Sequence, residues 1–120
     1  MSVERLPRLL LRLEGAALAA VALSLYLHED YSLLLLVVLV LVPDLSMLGF
    51  LAGPRVGAVA YDAAHTTVGP LLLGAVGVIW PWDTATAIAL IWLLHIGVDR
   101  AVGYGLKYPS SFKDTHLDRV

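Results

Sequence analysis

The sequence predicts an all-α, polytopic membrane protein: four transmembrane helices in an antiparallel bundle, with the N- and C-termini cytoplasmic. Three observations carry this. Mean hydropathy is +0.82 and only 15% of the 120 residues are charged, too little polar surface to coat a soluble domain this small. Four apolar runs, at about 9–27, 31–51, 56–80 and 84–105, each reach the ~20 residues that a spanning helix needs. All eight basic residues (Arg5, Arg8, Arg12, Arg55, Arg100, Lys107, Lys113 and Arg119) fall on one side of those runs, and cytoplasmic flanks carry the Lys and Arg excess.

The first run, Leu9 to Leu27, is too long for a signal-peptide core and has no clear small-x-small exit, so a retained helix is expected. The turn "HED" at 28–30 leads into the second run, Tyr31 to Leu51, where Pro43 is expected to bend the helix. "AGPR" at 52–55 reverses the chain into the third run, Val56 to Trp80. There Thr66 and Thr67 precede Gly69-Pro70, a predicted kink. "PWD" at 81–83 opens the fourth run, Thr84 to Gly105. Short Gly- and Pro-marked turns suit antiparallel neighbours. The opposite loops hold only Glu29, Asp30 and Asp83, beside Tyr26, Tyr31, Trp80 and Trp82 as an interfacial belt. The chain is therefore expected to be one domain, 1–120, with a cytoplasmic tail at 106–120. The expected setting is the lipid bilayer of the plasma membrane, and a chain of four helices leaves a homo-oligomer open.

Net charge is only −2, so no nucleic-acid partner is indicated. The chain has no cysteine, which excludes disulfides, thiolate ligands and a cysteine nucleophile. The segment "AVGYG" resembles a potassium-channel filter only in letters. It closes the last helix on the basic side, lacks a pore helix before it, and reads as a helix C-terminus.

The informative feature is polar. Counted from the basic end at the α-helical rise, Asp44 lies about 12 Å deep, Asp62 about 9 Å, His65 about 13 Å, His95 about 15 Å, Asp99 about 9 Å and Glu14 about 8 Å. Six ionisable groups from four helices thus share one slab, while the other half of the predicted membrane has essentially none. An ionisable residue in hydrocarbon costs at least about 2.5–3.5 kcal/mol, so convergence on one another is expected. Asp62 and His65 are i,i+3; His95 and Asp99 are i,i+4; each pair shares a helix face.

Imidazole nitrogen with carboxylate oxygen is the ligand set of Zn²⁺ and of other divalent metals such as Fe and Mn²⁺. Asp62, His65, His95 and Asp99 are the expected metal ligands, with Asp44 as a further ligand or general base and Glu14 as a second catalytic carboxylate. Arg12, Arg55, Arg100 and Lys107 form a rim suited to an anionic headgroup or to ion pairing, Arg100 with Asp99. The resulting expectation is a metal-dependent hydrolase or related enzyme acting on a lipid or other amphiphile in the inner leaflet. Two other uses of the same residues stay open: a proton-coupled or small-solute transporter with the acids as a relay, and a structural or partner-binding subunit whose polar network fixes helix register. Ser46 is expected to make an interhelical hydrogen bond, and His28 to be solvated beside Glu29 and Asp30.

The blocks "PDLSMLGFLAGPR", "YDAAHT", "HIGVDRAVGYGLKYP" and "FKDTHL", in that order, resemble a family of small bacterial four-helix membrane proteins catalogued only as a domain of unknown function. The likeness runs from "LRLEG" at 11–15 to the tail. It implies no activity, but marks Glu14, Asp44, Asp62, His65, His95, Asp99, Arg100 and His116 as pattern positions. It also suggests that the tail folds back to bring Asp114 or His116 to the site, although Asp118 stands where glycine is expected. A looser likeness to intramembrane metal hydrolases of the alkaline ceramidase type is analogy alone.

Overall fold

A computed structural model describes residues 5–104; the predicted tail, with Lys107, Asp114 and His116, lies outside the described residues. The described chain is all-helical, and four of its stretches are long and apolar enough to cross a membrane: Leu6–His28, Leu33–Ala52, Pro54–Ile79 and Asp83–Val102. Two of the four are not continuous α-helices, and both interruptions fall beside the polar cluster.

Helix α1 (Leu6–His28) opens with Pro7 in its first turn, where the missing N–H costs nothing. It closes at the "HED" turn, in which Asp30 takes a left-handed φ of 56°, a setting that aspartate tolerates. The Tyr26 hydroxyl donates to the Ser32 carbonyl across that turn. Ser32 then caps α2 (Leu33–Leu39), its hydroxyl accepting the Leu35 N–H at 3.1 Å.

After α2 the second span changes winding and continues as a 3₁₀ helix, Val42–Ala52. Pro43 has no N–H to extend the α-helical ladder, and the Asp44 N–H bonds the Leu41 carbonyl at 3.0 Å in place of Val40. Eleven residues is long for this conformation. Its three-residue turn stacks Val42, Leu45, Leu48 and Leu51 in one exposed row and puts Pro43, Asp44, Ser46, Gly49 and Phe50 on the half-buried side. The bend expected at Pro43 is thus a change of helix type, which turns Asp44 inward.

Gly53, at φ 122°, reverses the chain into α3 (Pro54–His65). The 3₁₀ helix and α3 pack closely: a Cβ on Gly49 would lie 2.9 Å from the Ala60 Cβ, and one on Gly57 would collide with the Phe50 ring. In place of the kink expected at Gly69-Pro70, the third span breaks outright at Thr66, which is extended (ψ 150°). Helix α4 (Val68–Ile79) restarts two residues later with Pro70 in its first turn, again where no N–H is needed.

Helix α5 (Asp83–Val102) is the central element, burying Ala85, Ala87, Ala89, Ile91, His95, Ile96 and Gly97. It packs on α1 through facing glycines, since a Cβ on Gly97 would lie 2.7 Å from both the Gly15 carbonyl oxygen and the Ala19 nitrogen. Small residues at such crossings let helix backbones meet without side chains between them. The helix ends at Val102, short of the expected 105. Gly103, at φ 102°, donates to the Arg100 carbonyl and Tyr104 to that of Asp99, a Schellman closure. The "GYG" segment therefore begins as a helix cap.

Candidate metal centre

The two helix interruptions release backbone carbonyls, and side chains of the site take them up. Because Asp44 bonds Leu41, the Val40 oxygen loses its α-helical donor; His95 Nδ1 donates to it at 2.6 Å. Because α3 stops at His65, the carbonyls of its last turn also need donors. Trp92 Nε1 donates to the Ala64 oxygen, and Arg100 donates to the His65 oxygen at 3.2 Å. Within α3, His65 Nδ1 donates to the Tyr61 oxygen at 2.8 Å, and the Tyr61 ring stacks on the imidazole with centroids 3.7 Å apart.

These contacts fix the tautomers. A carbonyl oxygen can only accept, so both Nδ1 atoms carry hydrogen, and in each neutral ring Nε2 presents a lone pair. The two Nε2 atoms face each other at 3.2 Å. Asp44 Oδ1 lies 3.1 Å from His65 Nε2 and 3.0 Å from His95 Nε2, and Asp99 Oδ2 lies 3.5 and 3.2 Å from the same pair. With both rings neutral, four acceptor atoms, all within 4.8 Å of one another, point into one space, and that set is repulsive until a metal ion or a proton enters it.

The spacing suits a metal. Ligand bonds of about 2.0 Å in tetrahedral array place ligand atoms about 3.3 Å apart, and the five distances above run from 3.0 to 3.5 Å. Both imidazoles are oriented by carbonyls behind them, the usual arrangement around metal-ligating histidine. The Asp44, His65, His95 and Asp99 cluster could therefore bind a metal. The histidines are 3% and 5% exposed, Asp99 18% and Asp44 39%, so the cluster opens on the Asp44 side.

The sequence-predicted residues divide accordingly. His65, His95 and Asp99 meet as expected, but the second carboxylate is Asp44 and not Asp62. Position i−3 puts Asp62 on the shared face of α3 yet a turn nearer the basic end, where it interacts electrostatically with Arg100. Glu14 and Arg55 are exposed and outside the cluster. Arg12 donates to the Ala101 oxygen at 2.9 Å, while half-buried Arg100 is engaged by the His65 carbonyl and by the charges of Asp99 and Asp62. Arg12 and Arg100 thus hold helix ends together. Ser46 bonds the Pro43 carbonyl of its own helix at 2.7 Å rather than a neighbouring one.

Sequence reasoning missed Tyr61, Trp92 and the Val40 carbonyl. Tyr61 was findable, standing four residues before His65 on the same helix face. Nothing in the sequence pairs Val40 with His95, because that contact depends on the change of helix type.

Residues 8–120 match the family described as "Domain of unknown function (DUF4260)". The chain belongs to this family. No curated protein and no solved structure matches it. The DUF4260 model takes in all four residues of the cluster, and the family's description assigns them no role.

Proposed function

We propose that this DUF4260 protein is an integral-membrane, metal-dependent hydrolase acting on an amphiphile in the inner leaflet, with both termini cytoplasmic. The observation that carries the reading is the convergence of two imidazole Nε2 atoms, each ring oriented by a backbone carbonyl, with two carboxylate oxygens at the spacing of ligand atoms around one ion. His65 Nε2, His95 Nε2, Asp99 Oδ2 and Asp44 Oδ1 hold the ion, and two nitrogens with two oxygens suit Zn²⁺ first.

A divalent ion bound there would supply Lewis acidity and a more acidic water near neutral pH. Asp44 is the most open of the four and stands where water and substrate arrive, so it takes the proton that the attacking water gives up. Arg100 offsets part of the negative charge of the cluster. The buried imidazoles, with Tyr61 stacked on one and Ile96 beside them, exclude other water from the far side.

Elemental analysis of protein purified without added metal tests the reading. About one divalent ion per chain is expected, with most of it lost in His65→Ala and in His95→Ala. Under about 0.2 per chain in wild type, unchanged by either substitution, removes the metal and the hydrolase together. A pH-driven ion flux in vesicles that Asp44→Asn abolishes favours a relay instead.

A further inference from the structure

An apolar groove of about 440 Å³ lies against the cluster, within the usual range for small-ligand sites. Val42, Pro43 and Ser46 of the 3₁₀ helix form one wall, and Ile88 and Trp92 of α5 the other. Its walls also include Ala64 and Ile91, so residues adjoining or one turn from three of the four cluster members line it: Pro43 precedes Asp44, Ala64 precedes His65, and Ile91 precedes His95 by one turn. From His95 the groove runs away from the basic end as far as Ile88, about 10 Å along α5. No ionisable side chain lines it.

The geometry points to the carbonyl-proximal part of a fatty-acyl chain as the occupant of this groove, with its carbonyl end at the cluster and the rest of the chain leading towards the middle of the membrane. This inference rests on the hydrolase reading for its chemistry and names the substrate class as a carboxylic ester or amide of a fatty acid. The groove is lined almost wholly by apolar side chains, lies in the membrane-crossing part of the helices, and has Pro43 and Ala64, the neighbours of Asp44 and His65, at the end nearer the cluster. That is the polarity of a fatty-acyl group. An inner-leaflet lipid also arrives in this direction, headgroup at the basic end and tail inward. In the reaction, water oxygen bonds to the acyl carbon and the bond from that carbon to the alcohol oxygen or amine nitrogen breaks. One proton of the water goes to the leaving group, and a free fatty acid departs with the other atoms.

The chain has three tryptophans, and Trp92 is in the groove wall, whereas Trp80 and Trp82 are exposed. A Trp80→Phe, Trp82→Phe protein therefore reports on the groove. In detergent, a brominated stearic acid is expected to quench Trp92 saturably, and unbrominated stearic acid to relieve the quenching. Ile88→Phe or Val42→Phe, which narrow the groove, should each weaken the apparent affinity about tenfold. Leu48→Phe, on the exposed row of the 3₁₀ helix, should leave it unchanged. Quenching that rises linearly with the probe and is equal in all four proteins means general partitioning and overturns the inference. The titration is repeated on chelator-treated protein. Saturable binding there, when the protein as purified holds no metal and with zinc added cleaves no acyl substrate, keeps the groove as an acyl site and rejects the hydrolase reading alone.

Discussion

Asp99→Asn is expected to change stability in opposite directions with and without metal. Asp99 Oδ2 and Asp44 Oδ1 lie within 4.8 Å of each other. At an effective dielectric constant of about 20, two unit charges at that distance repel by about 3 kcal/mol. Asp44 is 39% exposed, so solvent screening brings this to about 1–2 kcal/mol. In chelator-treated protein the isosteric asparagine removes that repulsion, and Tm should rise by about 3–6 °C. In metal-loaded protein the same substitution removes a ligand. A hundredfold loss of affinity at saturating metal costs about 2.7 kcal/mol, so Tm should fall. Intrinsic tryptophan fluorescence during heating, in detergent with either EDTA or zinc, measures both. An ion-pair network predicts otherwise: its carboxylates stabilise protonated histidines, and asparagine lowers Tm equally in both buffers. That equal loss would refute the metal reasoning.

Three further outcomes follow from the packing. Gly97→Leu forces a side chain into the Gly15 and Ala19 backbone and should cost at least about 2 kcal/mol, seen as loss of monodisperse protein on size exclusion. Trp92→Phe keeps an aromatic side chain but shortens it and leaves the Ala64 carbonyl without its donor, so Tm should fall by the equivalent of at least about 1–3 kcal/mol, with metal content unchanged. Leu48→Ala, on the exposed row, should move Tm by less than about 0.5 kcal/mol equivalent; a large fall there would mean that this row is covered by another surface.

Helix number, span positions and the shared depth of the polar residues are legible in the sequence because hydropathy and the α-helical rise determine them. His65, His95 and Asp99 were found that way, each at a depth and spacing a regular helix dictates. The choice between Asp62 and Asp44 was not. An α-helical reading of the second span gives Asp44 a depth but not a direction, and only the 3₁₀ winding after Pro43 turns it inward. Likewise Gly69-Pro70 reads as a bend, whereas the extended Thr66 upstream is what frees the Ala64 and His65 carbonyls for Trp92 and Arg100. Local propensity locates such breaks; which donors satisfy them depends on the packing of α5. The arginines show the same limit: their one-sided distribution is plain in sequence, but that Arg12 and Arg100 bind helix-end carbonyls is not.

X-ray absorption at the metal edge, on protein purified from cells without added metal, is the most direct test of the centre. The account predicts about one divalent ion per chain in a shell of nitrogen and oxygen at about 2.0–2.1 Å, with the outer scattering of two imidazoles. Replacing His95 with alanine should remove that signal. No edge, or a shell of oxygen alone that persists in His95→Ala, would contradict it.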